Sequence, residues 1–164
     1  FGVAFQSDAF FLGTVYDNID IGRGLPREDI IRGAHCAQAE PFILATKEGY
    51  DHPVHAKAAN LSGGQKQRLL IARALAGKPQ ILILDDSSSA LDYQTDAAVR
   101  NAIRGNYPDT TLILVAQRVS SVRNADQILV LDEGRTVGLG THEELMENCP
   151  LYRQIAKIQT GGEA

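Results

Sequence analysis

The residues whose types and spacing could do chemistry lie in two stretches, and the first is LSGGQ at residues 61–65. It directly precedes KQRLLIARAL, whose apolar residues recur at helical spacing. Paired glycines let backbone N–H groups approach a ligand closely, and a helix N-terminus carries partial positive charge. A lone Ser-Gly-Gly is typical of an ordinary capped helix, but this longer string indicates a phosphate-binding site. Its candidate residues are Leu61, Ser62, Gly63, Gly64 and Gln65.

The second stretch is ILILDD at residues 81–86, an apolar run that ends in two aspartates. A short apolar run is typical of a parallel strand buried on both faces, and open α/β sheets bind ligands at the carboxyl ends of their strands. A carboxylate there can hold Mg²⁺ beside a triphosphate, and the next residue can orient or deprotonate the attacking water. The plain alternative is that Asp85 and Asp86 cap a turn, and LSGGQ upstream argues against it.

The elements that must position these residues follow from apolar spacing and turn residues. We predict strands over residues 1–5, 81–85 and 110–116, and a hairpin over 127–140 that turns at Asp132, Glu133 and Gly134. We predict helices over residues 26–38 and 39–47, from LSGGQ to Gly77, over 93–105, 119–125 and 151–159, and after a capping box at Thr141 and Glu144. Residues 13–24 are expected to be irregular, 48–60 a polar loop and 160–164 a loose tail. Helices that alternate with buried strands predict an α/β domain with a mostly parallel sheet.

Length and composition restrict the classes of protein to which the chain can belong. The 164 residues fit one ordinary domain or a large part of one, and 44% hydrophobic with 22% charged residues is typical of a soluble globular protein. The net charge of -4 offers no basic excess for nucleic acid or an anionic membrane. Cys36 and Cys149 do not form a disulfide pattern, which favours a reducing cytosol. The sequence has no run of membrane-span length and no signal-peptide pattern, and its opening FGVAFQ predicts a piece cut from a longer chain.

These motifs resemble those of the nucleotide-binding domain of ATP-binding-cassette (ABC) transporters, and the resemblance covers nearly the whole chain. LSGGQ matches the family's signature, ILILD its Walker B strand, and SSALD at residues 88–92 its D-loop, with Asp92 at the loop's aspartate. Gln6 stands at the glutamine of the Q-loop, and GTVYDNI follows it as in exporters. The resemblance implies a P-loop NTPase-like α/β fold with a partial, mostly parallel sheet core. About residues 7–77 would form the ABC helical subdomain with the signature, and about 78–164 the distal ATPase core and C-terminal helices.

The same resemblance implies ATP and Mg²⁺ as cofactors. Asp85 and Gln6 would lie on the metal side of the site. Gln6, residues 61–65 and Asp92 would contact the nucleotide.

Three departures from the family pattern bear on catalysis. The Walker A string G-x-x-x-x-G-K-[ST] is absent, and in the family it lies upstream of the Q-loop with the aromatic residue that stacks on adenine. At the two catalytic positions, Asp86 replaces the usual glutamate and Gln117 replaces the switch histidine. The shorter carboxylate changes the reach to the attacking water, and an amide can bind a γ-phosphate but cannot exchange a proton near neutral pH. Both changes resemble the degenerate half of a heterodimeric ABC exporter.

We therefore expect the parent protein to couple ATP hydrolysis to export, with this domain on the cytoplasmic face of the cell membrane. Its partners would be a transmembrane domain and a second nucleotide-binding domain, and nucleic acid is not expected as a partner. The two nucleotide-binding domains could form a homodimer, but Asp86 and Gln117 favour a heterodimer. The signature would complete the partner's hydrolysing site while the chain's own site is slow. The isolated chain is expected not to hydrolyse ATP. The alternatives are a soluble ABC ATPase without a transport function and a non-catalytic regulatory ATP-binding module.

Three weaker signals each have two interpretations. His52 and His55 form H-x-x-H in a loop, which we interpret as solvated rather than as a metal site. Residues 10–12, Phe-Phe-Leu, are either a surface for the transmembrane domain or local core packing. Residues 66–68, Lys-Gln-Arg, are predicted to be a solvated helix face rather than a phosphate-facing cluster.

Overall fold

The computed structural model describes residues 1–87 and 89–159, so the predicted loose tail at 160–164 lies outside the described residues. The chain forms two compact units, Phe1–Val115 and a second unit that begins at Ala116. The strands of the first unit are β1 (Gly2–Ala4), β2 (Gly13–Thr14), β3 (Pro53–Val54), β4 (Ile81–Asp85) and β5 (Thr111–Val115). Its helices are α1 (Val15–Asp20), α2 (Arg27–Cys36), α3 (Glu40–Leu44), α4 (Gly63–Ala76) and α5 (Tyr93–Asn106), with 3₁₀ turns at Gly49–Asp51 and Ala56–Ala58. The second unit contains α6 (Val119–Val122), β6 (Ile128–Asp132), β7 (Arg135–Gly140), α7 (His142–Asn148) and α8 (Pro150–Gln159).

The main sheet of the first unit has the strand order β1–β4–β5, and both pairings are parallel, as predicted. In the first pairing, Ala4 of β1 lies opposite Leu84 of β4. Because the strands run in the same direction, the residues that follow β1 and β4 emerge at one edge of the sheet. Gln6 and Asp86 each come two residues after this pair, so both lie beyond the same edge.

The helix α4 is the centre of the core of the first unit. Every residue from Leu69 to Ala76 is buried, and burial of each leucine or isoleucine contributes about 1.5–3 kcal/mol. The helix ends before Gly77, as predicted. Gly33 lets α2 approach α4 closely, because a Cβ at residue 33 would lie 2.8 Å from the Ala72 carbonyl oxygen. A larger residue at this position would push the two helices apart.

The prediction that residues 13–24 are irregular is wrong for residues 13–20, which form β2 and α1. A capping box opens α1. The Asp17 N–H donates to Thr14 Oγ1 at 3.0 Å, and the Thr14 N–H donates to Asp17 Oδ2 at 2.8 Å. The usual sequence pattern of this box has Glu or Gln at the third helical position, and Asp17 does not match it.

The prediction of a polar loop over residues 48–60 is also wrong in part. Strand β3 pairs antiparallel with β2, and the side chains of Tyr50, Val54 and Ala58 are buried. The elements in this segment are two or three residues long. Such lengths are too short for periodicity to reveal them.

The prediction that residues 110–116 form a buried strand is wrong in part. Leu82 and Leu84 of the neighbouring strand β4 are buried, whereas Ile113 and Val115 of β5 are 46% and 50% exposed. An apolar composition shows that a strand suits a core, but it does not show how many of its faces are covered.

The second unit consists of a short helix, a β-hairpin and two further helices. Strands β6 and β7 pair antiparallel around the predicted turn, where Glu133 and Gly134 have φ values of 45° and 76°. The predicted capping box opens α7, with the Glu144 N–H donating to Thr141 Oγ1. The buried cluster of this unit consists of Val119, Ile128, Val130, Leu145, Cys149, Tyr152 and Ala156.

The cysteines and the helix lengths bear on two further expectations from the sequence. Cys36 and Cys149 are buried and free, so the chain has the unpaired thiols that were predicted. Within residues 1–87 and 89–159, none of the helices combines the length and apolar character needed to cross a membrane.

Candidate functional site

The segment LSGGQ forms the N-terminus of α4, as predicted, and Ser62 is its N-cap residue. The Ser62 N–H donates to Gln65 Oε1 at 2.9 Å, and the Gln65 N–H donates to Ser62 Oγ at 3.3 Å. The Ser62 hydroxyl accepts in this capping box, so its own O–H remains available as a donor to a ligand. Leu61 is half-buried against the core, whereas Ser62 and Gly63 are exposed. The core therefore anchors the segment, and its polar groups face solvent.

The two glycines of the segment have different packing requirements. A Cβ on Gly64 would lie 3.2 Å from the Ala90 carbonyl oxygen and 3.9 Å from Leu91 Cδ2. A Cβ on Gly63 would come no closer than 4.0 Å, to the Cβ of Ala90. Packing within the chain therefore explains the glycine at 64 but not the one at 63. The backbone of Gly63 is left open toward solvent.

Gln6 is exposed and lines a cleft of about 420 Å³. Gly63 and Lys66, in the first turn of α4, line the same cleft together with Lys57. The structure thus brings the predicted Q-loop glutamine next to the predicted signature. The cleft is also lined by Asp8, whose carboxylate pairs with Arg73. The two lysines therefore leave an excess of positive charge, which suits an anionic ligand.

The prediction that residues 66–68 form a solvated helix face is wrong for two of the three. Gln67 is buried, and its Nε2 donates to the Phe5 carbonyl oxygen at 3.2 Å. The guanidinium carbon of Arg68 lies 4.8 Å from the centroid of the Phe42 ring. Both side chains therefore serve packing, and Gln67 ties α4 to the residue just before Gln6.

Arg73, which sequence reasoning missed, joins α4 to the segment on the other side of Gln6. It is buried, and it donates to the carbonyl oxygens of Asn18 at 2.8 Å and Ala9 at 3.1 Å. It also pairs with the Asp8 carboxylate at 3.3 Å. Its guanidinium carbon lies 5.3 Å from the centroid of the Phe10 ring. The chain after β1 is therefore held against α4 by one cation.

Residues 10–12 do not share one environment. Phe10 is half-buried against the core and under Arg73, so local packing accounts for it. Phe11 and Leu12 are 59% and 78% exposed, so packing within the chain does not account for them.

The two aspartates of ILILDD are placed differently. Asp85 is the last residue of β4 and is half-buried, whereas Asp86 has a left-handed φ of 46°. The Asp86 N–H donates to the Val115 carbonyl oxygen at 2.9 Å, and the Asp86 carbonyl oxygen accepts from Ser89 Oγ at 2.9 Å. Aspartate is one of the residues that tolerate this backbone region. The chain therefore turns at Asp86 directly beyond the carboxyl end of the strand.

Asp92 is the N-cap residue of α5. The Thr95 N–H and hydroxyl donate to its carboxylate at 2.9 and 2.7 Å. The hydroxyl and then the backbone N–H of Thr95 hold the pKa of the Asp92 carboxyl below its usual range. The structure therefore gives Asp92 a capping role in addition to the nucleotide contact predicted for it.

Gln117 belongs to the second unit, in the segment before α6. Its backbone carbonyl oxygen accepts from Gln159 Nε2 at 2.7 Å. The Val119 N–H donates to Gln159 Oε1 at 2.8 Å. Gln159 is the last residue of α8, and sequence reasoning gave it no role.

Among the described residues, the groups that could hold a divalent cation are a few oxygens and not a closed cage of side chains. In the part of the chain that the structure describes, no three His, Cys, Asp or Glu side chains converge as a metal cage. His52 of the H-x-x-H pair lies 3.0 Å from Glu48 Oε2 instead. Mg²⁺ is commonly held by one or two protein oxygens together with substrate phosphates and water. Asp85, the last residue of β4, and Gln6, two residues after the end of the neighbouring parallel strand β1, fit that donor set.

Comparison with known proteins identifies the family. Residues 1–89 match the family model for the ABC transporter. Over 159 residues the chain is 43% identical to the uncharacterized ABC transporter ATP-binding protein YknU of Bacillus subtilis, covering 96% of this chain and 27% of that protein. Over 158 residues it is 40% identical to the ABC-type oligopeptide transporter ABCB9 of Homo sapiens, covering 96% of this chain and 21% of that protein.

A solved structure shows the same fold. The structure of a bacterial Atm1-family ABC exporter with ATP bound matches with a TM-score of 0.91 at 36% identity, covering 97% of this chain and 28% of that one. The chain spans roughly a quarter of the length of these relatives. The match confirms the predicted P-loop NTPase-like α/β fold and the resemblance to exporters. From the family match and these likenesses, the chain belongs to the ABC transporter family, as part of an exporter-type ATP-binding domain.

Proposed function

We propose that the chain binds ATP with Mg²⁺ in an ABC exporter and contributes to the ATP hydrolysis that drives transport across a membrane. The observation that carries the proposal is the exposed, capped N-terminus of α4 at Ser62 and Gly63. The likeness to an Atm1-family exporter with ATP bound supports it. The domain would lie at the cytoplasmic face of the cell membrane.

The signature has the groups that a terminal phosphate requires. The first N–H groups of a helix, here those of Gly63 and Gly64, have no partner within the helix, and the helix end carries partial positive charge. The capping box fixes Ser62 and leaves its O–H as a further donor. These donors would bind the γ-phosphate of an ATP whose other contacts come from a second nucleotide-binding domain. The signature would thus complete the partner's site.

The chain's own site would use the groups at the edge of the parallel sheet. Bound Mg²⁺ supplies positive charge that neutralises the phosphates during transfer to water. Asp85, at the end of β4, and the amide oxygen of Gln6 would hold the ion or its water ligands. Asp86 would orient the attacking water, and Gln117 would donate a hydrogen bond to the γ-phosphate. Asp92 would join the nucleotide contacts from the D-loop.

We infer that this own site is slow. The Asp86 carboxylate has one methylene fewer than glutamate, and small misplacements of a catalytic group reduce rates strongly. The Gln117 amide cannot take up or release a proton near neutral pH. The chain would therefore retain ATP at its own site and contribute to hydrolysis mainly through the signature. This division of roles predicts a heterodimer with a second, fully catalytic nucleotide-binding domain.

The remaining surfaces would contact the rest of the transporter. About residues 7–77 would form the helical subdomain, and about 78–164 the distal ATPase core and C-terminal helices. Phe11 and Leu12, exposed in the first of these segments, would contact the transmembrane domain. Each is a large apolar side chain without cover within the described chain, as is common at contact surfaces.

ATP turnover by the complete transporter tests the asymmetric roles. Ser62→Ala removes a cap and a phosphate donor, so kcat should fall on the order of 100-fold, as for the loss of a transition-state donor. Thr141→Ala is the matched control, because it removes the same type of cap from α7 at a stability cost of about 1 kcal/mol and should leave turnover unchanged. Asp86→Asn keeps a residue that tolerates the left-handed backbone, removes the charge and should have little effect. Equal losses from Ser62→Ala and Asp86→Asn would refute the asymmetric assignment.

Restoring the usual catalytic pair tests the slow site directly. The double variant Asp86→Glu, Gln117→His should convert the ATP retained at this site to ADP at least about tenfold faster, because well-positioned acid–base groups typically contribute about 100-fold or more. The same two changes at exposed positions, Asp132→Glu with Gln154→His, are the control and should change nothing. A restored pair without faster conversion would show that these two residues do not limit the site.

A further inference from the structure

Gln159 makes hydrogen bonds to both sides of the switch segment, residues 117–119. We propose that Gln159 is a positioning residue, which fixes the backbone on which Gln117 stands. The end of α8 would thereby set the geometry of the switch position. This inference rests on the proposed function, because Gln117 matters only if it meets a bound nucleotide.

The two hydrogen bonds form a clamp from a single side-chain amide. Its oxygen accepts from the Val119 N–H at 2.8 Å, and its nitrogen donates to the Gln117 carbonyl oxygen at 2.7 Å. A carbonyl needs a donor and an N–H needs an acceptor, so only this orientation of the amide forms both bonds. One side chain thus pairs with a carbonyl and an N–H two residues apart, as a neighbouring strand would.

The short helix α6 explains why an external partner is needed. Val119 is its first residue, and the N–H of a first helical residue has no partner inside the helix. Among the described residues, the N-cap residue Arg118 makes no side-chain capping bond to α6. Gln159, 40 positions later in the sequence, supplies the missing acceptor.

Core packing brings Gln159 to this position. Tyr152 and Ala156 of α8 are buried in one cluster with Val119 of α6. Gln159 follows Ala156 by three residues and Tyr152 by seven, so it lies on the same face of α8. The apolar contacts set the distance between the two helices, and the amide sets the orientation of the segment between β5 and α6.

Simple capping of α6 is the competing explanation, and the second bond distinguishes the two. Capping requires only the acceptor oxygen of Gln159. The bond from Nε2 to the carbonyl of residue 117 has no part in capping, and it lies at the residue that would meet the γ-phosphate. A positioning role therefore depends on both bonds, whereas capping depends on one.

The test uses the complete transporter and three variants. Gln159→Met keeps the length of the side chain and removes both bonds. Gln159→Glu keeps the acceptor for Val119 but places a carboxylate against the carbonyl of residue 117. Gln154→Met is the matched control, since Gln154 is exposed on the same helix. The readouts are hydrogen exchange of the Val119 amide and the release rate of radiolabelled ATP retained at this chain's own site.

Gln159→Met should exchange the Val119 amide about fivefold faster, the value for one net hydrogen bond, and should release retained ATP about two- to fivefold faster. Gln159→Glu should protect Val119 as the wild type does and still release ATP faster, and the control should change neither rate. Unchanged Val119 exchange in Gln159→Met would overturn the clamp. Faster exchange with unchanged ATP release, or full rescue of ATP release by Gln159→Glu, would overturn the positioning role. A wild type that retains no ATP at this site would instead overturn the slow site, while Val119 exchange still decides the clamp.

Discussion

Replacing Arg73 by methionine should destabilise the first unit by about 4 kcal/mol, because it removes a buried, charged donor from the carbonyl oxygens that it binds. Arg73 donates to the carbonyl oxygens of Asn18 and Ala9 and pairs with the Asp8 carboxylate. Methionine retains much of the apolar stem, so the loss isolates the guanidinium.

The magnitude follows from how exposed each partner is. The two bonds to carbonyl oxygens come from a charged, buried donor and are each worth about 1.5–3 kcal/mol. The pair with Asp8 adds at most about 1 kcal/mol, because the Asp8 side chain is 40% exposed to water. The contact with the Phe10 ring adds about 0.5–1 kcal/mol. Burial also lowers the pKa of the Arg73 guanidinium, because the charge is held at a desolvation cost. This cost places the summed loss of stability in the lower half of the range that these contributions span.

Urea unfolding followed by circular dichroism measures the effect, with two variants as controls. Asp8→Asn should cost no more than about 1 kcal/mol, since it removes only the exposed partner. Arg73→Lys should fall between the two, at about 2–3 kcal/mol, because one ammonium cannot reach all the sites that the planar guanidinium reaches. A loss below about 1 kcal/mol for Arg73→Met, or an equal loss for Asp8→Asn, would refute the assignment of the stabilisation to the two bonds from Arg73 to carbonyl oxygens.

Three further predictions concern single residues. Tyr50→Phe should leave the free energy of unfolding unchanged or raise it by about 1 kcal/mol, because the Tyr50 hydroxyl is buried without a hydrogen-bond partner among residues 1–87 and 89–159. Burial raises the pKa of Tyr50 to about 12, so the stability that the neutral hydroxyl gives below pH 10.0 should be lost as the pH rises toward 12. Urea unfolding measured at a series of pH values should show this loss in the wild type and not in Tyr50→Phe. Gly64→Ala should be about 1 kcal/mol less stable than its control Gly63→Ala in thermal unfolding, because only its Cβ crowds the Ala90 carbonyl. Asp92→Ala should lower the urea midpoint at neutral pH but not in acid. The pKa of the Asp92 carboxyl is lower in the folded than in the unfolded state, so the ionised group stabilises the fold at a pH above its unfolded-state pKa. This stabilisation is lost as the pH falls through the folded-state pKa.

The long elements could be predicted because their signals are local. Helix α4 has a serine N-cap, a broad apolar face and Gly77 at its end, and each signal agrees with the others. Strand β4 was recognised from its unbroken apolar run. Helix α1 was missed because Asp17 occupies the position where a capping box usually has Glu or Gln.

Parts of the site could not be predicted because they depend on distant partners. Gln67 lies four residues before the buried Ile71, so helical spacing does place it on an inward face. Glutamine is usually exposed, so its residue type predicted a surface position. Its partner, the Phe5 carbonyl, is 62 residues away in the sequence. Gln159 shares a helix face with Tyr152 in the same way, and its partners lie about 40 residues earlier. Polar residues at core spacing are therefore the signal by which such bonds could be recognised in a sequence.

The bonds of α4 also explain how Gln6 can be positioned although it lies outside every strand and helix. Phe5, directly before it, is held by Gln67, and Asp8 and Ala9, shortly after it, are held by Arg73. Both anchors belong to the helix whose N-terminus is the proposed signature, so a shift of α4 would move both flanks of Gln6. Under the proposed function, a phosphate bound at Ser62 in the partner's site would pull on the metal side of the chain's own site. The two ATP sites would then be coupled through α4.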